Sequence, residues 1–390
     1  MCTLYIAKFL WIFHNDEFCV SLFQDKTKSQ NKKPAVLLEA AYTGDFSNNL
    51  KRKIKQNSVY LGNIDLKITI DTEKAKLWNG GSFFFYGLNN HGKSISNVVG
   101  DLQVTSNIEA KSGTRLYQFW YSQFLGNLEL TLGQHDLNSE FAVTEYGSSF
   151  INSSFGIQPD ISNNVSASIF PMATLGVVTK WDISKKLNFL AAIYDGNPGD
   201  EMENPNSIKW KINTKEGAMY IVELQLKTKR DSITKGNFKV GAWHHSANTF
   251  SEGQTIGHKN VQGIYFIADY QFFREKSTKP QGLGAFLQMG MTSKNCNHIR
   301  SYIGAGLVYH GLIYNRDNDD FGIAIGNAFL GNSVNTSNQL KYESAIEITY
   351  KVILNSHFMV QPDIQYIINP GGSGNIKNAL VSTLRLKLEL

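Results

Sequence analysis

The chain has 390 residues, 42% hydrophobic and 18% charged, with a formal net charge of +5. No apolar run reaches the roughly 18 residues that a membrane-crossing helix needs. The lysines are spread over the whole length, which excludes a concentrated nucleic-acid-binding patch.

With 33 glycines, 24 phenylalanines, 17 tyrosines and only 8 prolines, the composition favours many strands and turns. A soluble reading of this length needs two or more cores. No Pro-rich, Ser/Gly-rich or single-sign charged spacer divides the chain, so one continuous domain over 35–390 is expected. Residues 1–34 are read as a leader outside the fold. Their apolar stretch at 5–13 is interrupted by Lys8, followed by His14, Asn15, Asp16 and Glu17, and has no small-residue cleavage site.

The first strand is expected at 35–42. The second is the clearest: Tyr60, Gly62, Ile64, Leu66, Ile68 and Ile70 share one face, and Asn63, Asp65, Lys67 and Thr69 the other. Further strands follow at 81–87, 115–124 and 128–132, the last placing Leu128, Leu130 and Leu132 opposite Glu129 and Thr131. The longest loop, 135–170, precedes strands at 173–181 and 187–194. The eighth places Tyr220, Val222, Leu224 and Leu226 opposite Glu223, Gln225 and Lys227. Strands at 238–244, 264–272, 282–291, 302–309 and 321–327 continue the series, the tenth with Tyr265, Asp269 and Gln271 on its polar face. Three strictly alternating runs close the chain. Ile346, Ile348, Tyr350 and Val352 oppose Glu347, Thr349 and Lys351. Phe358, Val360, Ile364 and Tyr366 oppose Gln361, Asp363 and Gln365. Leu384, Leu386, Leu388 and Leu390 oppose Arg385, Lys387 and Glu389.

Alternation alone fits a sheet half-buried on a soluble core or a barrel wall between lipid and a wet lumen. Two further patterns decide for the barrel. There are about sixteen strands of roughly ten residues, the length that crosses a bilayer at a tilt. Connections after odd-numbered strands are long and those after even ones mostly short, as the two rims of an up-and-down membrane barrel require. Tyr60, Tyr220 and Tyr366 fall near the long-loop rim, and Tyr350, Tyr270, Phe272 and Phe358 near the other, as two lipid-facing aromatic girdles. The fold class is therefore all-β: a transmembrane up-and-down antiparallel β-barrel.

With the strands placed, the chain resembles the carbohydrate-selective (OprB-like) porins of Gram-negative outer membranes over about 36–390. The resemblance rests on GNIDL at 62–66, GDLQ at 100–103, SNIE at 106–109, TRLYQFWYSQ at 114–123, LGQHDLNSEF at 132–141, FINSSFG at 150–156, YDGNP at 194–198 and QPDIQYIINP at 361–370. It implies a sixteen-stranded, narrowed pore that passes small sugars by diffusion; a monomer is the favoured state, with a homo-oligomer as the alternative. The expected partners are outer-membrane lipid and, during biogenesis, the barrel-assembly machinery. Leu390 replaces the family's terminal aromatic, and LysArgLys at 51–53 occupies a first loop that is usually glycine-rich.

A sugar path needs hydrogen-bonding groups for hydroxyls and aromatic faces for rings. Loop 135–170 carries both kinds in His135, Asp136, Asn138, Glu140, Phe141, Phe150, Asn152 and Phe155, and its length marks it as functional. An inward fold that narrows the pore is expected, with an external lid as the competing arrangement. Arg115 and Trp120 are candidates for a hydrogen-bond fork and a stacking face, although strand four alternates poorly and Trp120 on the lipid side is the competing placement. Asp65, Lys67, Glu129, Glu223, Lys227, Asp269, Glu347, Lys351, Asp363, Arg385 and Lys387 are expected to solvate the lumen wall.

No catalytic centre, metal or cofactor is expected. Cys2, Cys19 and Cys296 have no CxxC spacing, and the nine histidines form no HExxH; nucleophile-elbow and P-loop motifs are missing. Asp200, Glu201 and Glu203 read as an acidic surface loop rather than a calcium clip. The functional alternatives are a general or anion-leaning porin and a non-transporting structural or adhesive barrel.

Overall fold

A computed structural model describes residues 34–51, 58–199, 202, 204–230, 233–249, 258–275, 281–293, 297–331 and 340–390. The leader, most of LysArgLys, Asp200, Glu201, Glu203 and the three cysteines lie outside the described residues. Sixteen strands form the wall. They are β1 (Val36–Asn49), β2 (Ser58–Asp71), β3 (Gly81–Gly92), β4 (Gly113–Leu125), β5 (Leu128–His135), β6 (Thr174–Asp182), β7 (Leu187–Asp195) and β8 (Ala218–Arg230), then β9 (Ile233–Thr249), β10 (His258–Arg274), β11 (Gly282–Thr292), β12 (Ile299–His310), β13 (Asp320–Leu330), β14 (Tyr342–Ile353), β15 (Phe358–Ile368) and β16 (Ala379–Glu389).

Each strand pairs antiparallel with its sequence neighbours, and β1 closes the barrel against β16 with Ala41 opposite Glu389 and Asn49 opposite Val381. Closure leaves no sheet edge, so strand backbone groups pair within the wall except where bulges interrupt the ladder, as a bilayer demands. The alternation puts Ile64, Leu66, Leu384 and Leu386 outside, exposed to lipid, and Asn63, Asp65, Thr383 and Arg385 inside.

Several strands run further than the apolar pattern predicts. The 43–57 loop is a strand as far as Asn49, with Thr43, Asp45, Ser47 and Asn49 buried on the inner face. The outer face there holds Gly44 and Asn48 as well as Phe46, so the apolar period that marks a strand is lost.

β4 alternates poorly because of a bulge. Tyr86 faces Gln118 but Gly87 faces Leu116, which leaves Tyr117 as an extra residue. An extra residue reverses the face of everything beyond it. Arg115 and Tyr117 point inward before the bulge, and Trp120 and Ser122 point inward after it.

The three long connections behave differently. Loops 93–112 and 136–173 turn into the lumen. They carry two short helices, α1 (Ser96–Val99) and α2 (Pro159–Ser162). Residues 204–217 instead drape over the outer wall. Trp210 stacks on the outward Phe119 at 5.9 Å and donates from Nε1 to Gln134 Oε1 at 2.8 Å, and the Leu116 N–H donates to the Asn206 carbonyl at 3.0 Å. That cover satisfies polar groups that the bulge would otherwise turn toward lipid.

Candidate functional site: a narrowed lumen

The lumen is narrowed by a loop that the wall holds through carboxylates. Glu223 of β8 accepts the Ala142 N–H at 2.9 Å and the Tyr265 hydroxyl at 2.6 Å. Asp269 of β10 accepts the N–H groups of Glu145 and Tyr146 at 3.0 and 3.1 Å. Glu347 of β14 accepts those of Ile151 and Asn152 at 2.6 and 2.9 Å. In loop 93–112, Glu343 takes the N–H groups of Leu102 and Gln103 at 2.8 and 2.9 Å, and that of Gly371 at 2.6 Å. Arg385 forks onto Asp45 at 2.7 and 2.8 Å and reaches Asn107 at 2.8 Å. A buried charge is tolerated only with such partners, so the same bonds that seat the loops hold these acids inside the wall.

The wall makes room for the loop by omitting side chains. A Cβ at inward-facing Gly284 would stand 2.0 Å from the Tyr146 ring, and one at Gly322 would stand 2.7 Å from Phe150. Phe150 and Phe155 pack with Phe286, Val308 and Ala324 on this side. On another flank Phe141 and Leu137 sit in a larger apolar cluster with Ile221, Trp243 and Tyr265. The loop therefore packs against the wall from β6 round to β14, while several inward groups of β2–β6 stay half-buried.

The β2–β6 side carries a band of half-buried groups. Phe84 and Trp120 stack at 4.8 Å and 27°. Trp120 Nε1 donates to Gln118 Oε1 at 3.1 Å, and the Trp120 ring lies 5.9 Å from that of His135. Beside them the Tyr86 hydroxyl donates to Asp65 at 2.6 Å, and Lys67 Nζ stands 4.8 Å from the Tyr86 ring. Lys180 of β6 meets Glu140 of the loop at 3.5 Å, and Glu129 faces Lys180 across the β5–β6 ladder. The band offers an aromatic face bordered by donors and acceptors of both signs.

The sequence candidates thus separate into two groups. Trp120, Glu140, Asp65, Lys67 and Glu129 lie together along the β2–β6 side. Lys351 and Lys387 are also half-buried and inward, Lys351 at 3.6 Å from Asp320 and Lys387 paired with Glu389. Asp136 and Asn138 shape the loop's first turn: Asp136 accepts the Asn138 N–H at 3.0 Å, and Asn138 Nδ2 donates to the Phe141 carbonyl at 3.1 Å. Burial pushes the Asp136 carboxyl up to about 7.

The second group is covered. Arg115 is 3% exposed and grips Asn90 at 2.9 Å and the Lys111 carbonyl at 3.1 Å, so it clamps loop 93–112 instead of presenting a fork to the lumen. His135 is buried against the Tyr194 hydroxyl at 3.0 Å. Phe141, Asn152 and Phe155 are loop anchors, with Asn152 Nδ2 donating to Gln365 at 3.0 Å. Glu223, Lys227, Asp269, Glu347, Asp363 and Arg385 face inward but are buried, so they do not solvate an open channel. Phe84, Tyr86, Lys180, Asp45 and Glu343 escaped sequence reasoning. The aromatic run at 83–86 and the paired acids at 343 and 347 were the available signals.

A model of the carbohydrate-selective porin, OprB family, matches residues 55–390. Porin B of Pseudomonas aeruginosa is 24% identical over 395 aligned residues, which cover 89% of this chain and 86% of that one. The high-pH structure of Pseudomonas putida OprB superposes with a TM-score of 0.81 at 20% identity, covering 91% of this chain and 94% of the other. A mutant of the Rh. blastica porin superposes with a TM-score of 0.54 at 10% identity, covering 91% and 100%. These structures share the fold.

Proposed function

Because the chain belongs to the OprB family of carbohydrate-selective porins, we propose that sugars cross its lumen along the β2–β6 side, with the Phe84–Trp120 stack as the platform for the ring. The protein is an outer-membrane β-barrel for passive, carbohydrate-selective diffusion. What remains to be assigned is the path. One observation carries the assignment: Phe84 and Trp120, stacked at 4.8 Å, are half-buried and inward-facing, and half-buried polar and charged groups of β2, β5 and β6 surround them.

A pyranose has an apolar C–H face and a rim of hydroxyls. The stack receives the face by dispersion, and Asp65, Lys67, Glu129, Lys180 and Glu140 supply acceptors and donors around the rim. A pore must release what it binds, so a few half-exposed contacts suit passage better than a closed pocket. The reading includes a single barrel domain over 35–390, working as a monomer, inserted by the assembly machinery and without a catalytic centre.

The test is sugar block of single-channel current in wild type and Trp120→Ala. The stack predicts about a tenfold weaker half-blocking concentration in the variant, equivalent to about 1.4 kcal/mol. Unaltered block with an intact pore would place the sugar elsewhere.

A further inference from the structure

Asp160 stands apart from the buried carboxylates that seat the loop. It lies in α2, at 0% exposure, and apart from its own backbone N–H neither of its oxygens meets a donor. Gln158, at the start of the same helix, is equally buried, and both its Oε1 and Nε2 lack partners. Gln288 of β11 donates from Nε2 to the Gly156 carbonyl at 3.1 Å, which fixes its amide against the loop and leaves its buried Oε1 without a donor.

Asp160 and Gln288 meet the same stretch of β11, and Gln158 lies two residues before Asp160 in the chain. The next inward position along β11 after Gln288 is Gly290, and a Cβ there would stand 2.2 Å from both Asp160 oxygens. The carboxylate therefore occupies the volume of a missing wall side chain, one inward step from the Gln288 amide. Asn164 holds the helix in place, donating to the Asp160 carbonyl and the Ile299 carbonyl at 2.7 Å each.

A bare carboxylate removed from water needs a counter-charge or a proton. Burial pushes this carboxyl up to about 7, so near neutral pH the proton is held only weakly. The available ligands are carboxylate and amide oxygens, hard donors that suit alkali and alkaline-earth ions and not the thiophilic metals. Asp269, the acid on the neighbouring strand β10, is already committed to the N–H groups of Glu145 and Tyr146, and farther round the wall Glu223 and Glu347 are committed to Ala142, Tyr265, Ile151 and Asn152. One uncommitted negative charge balances one positive charge.

We propose that Asp160, with the side-chain oxygens of Gln158 and Gln288, binds an alkali cation that ties the constriction loop to the β11 wall. The site is independent of which solute permeates. Two measurements on the intact barrel test it. Crystals soaked in thallium(I), a potassium surrogate, should show an anomalous peak within bonding distance of the Asp160 carboxylate. Thermal unfolding in detergent should shift down by a few degrees when sodium or potassium chloride is replaced by N-methylglucamine chloride at equal ionic strength, and Asp160→Asn should abolish that difference. A thallium map with no peak at Asp160 would overturn the proposal, and this needs no variant to fold. So would a salt-identity effect that survives unchanged in Asp160→Asn.

Discussion

Trp120 faces the lumen because Tyr117 is one residue too many for the β3–β4 ladder. Its direction is thus set by backbone register and not by its own hydrophobicity, and the same shift hides Arg115 under loop 93–112. Charge on the inner wall follows a similar logic. Lys67 and Lys387 are inward, half-buried and reachable by ions, whereas Arg385 is committed to Asp45. Reversing the first two, Lys67→Glu with Lys387→Glu, should lower the anion preference of the pore, read as a shifted reversal potential in a salt gradient. An unchanged reversal potential would show that neither lysine borders the ion path. Asp136 gives a pH dependence. Its carboxyl is raised from 3.8 to about 7 in the folded loop, so between about pH 4 and pH 7 the folded state holds a proton that the unfolded state has lost. The seating of the loop is therefore strongest below about pH 4, weakens as pH rises toward 7 and levels off above it. The protection of residues 136–141 against hydrogen exchange, taken relative to the intrinsic rate at each pH, should fall across that range, and Asp136→Asn should flatten the fall.

At the scale of elements, the constriction is a long loop seated by wall carboxylates and admitted by wall glycines. Each acid accepts backbone N–H groups of the loop, and a charge-assisted bond of this kind contributes about 1.5–3 kcal/mol. Glu347→Gln keeps one acceptor for the two donors at Ile151 and Asn152. It should loosen the loop, raising open-channel conductance and its fluctuation while leaving the barrel folded. Gly284→Val should do the same by contact, since its Cβ would fall 2.0 Å from the Tyr146 ring. Quiet, wild-type conductance in both variants would remove the loop from the constriction.

This is also where sequence reading reaches its limit. All sixteen strands and their order were legible, because period-two alternation is a local property. The inner face of β1 beyond Tyr42 was not, because polar residues inside and Gly44 and Asn48 outside erase the contrast. The inward fold of the loop was inferred from its length alone. Its real cause, Glu223, Asp269 and Glu347 reaching residues 81 to 196 positions away, is a long-range pairing that no local window contains. For the same reason those acids read as solvated wall charges, although they are buried anchors. The glycines at 284, 290, 322 and 326 were the legible trace of the packed loop, since each occupies an inward wall position filled by another side chain.

At the scale of the whole molecule, a closed antiparallel wall with lipid-facing leucines and isoleucines surrounds a lumen that loop 136–173 narrows and an aromatic, charged band lines in part. Solute moves down its gradient, and on the proposed path the band favours ring-shaped, hydroxyl-rich molecules over others of equal size. The most direct measurement is single-channel conductance of the refolded barrel in a planar bilayer with glucose titrated in. The account predicts discrete steps whose current falls saturably as sugar is added. Discrete steps indifferent to sugar, from a barrel shown to be folded, would contradict it.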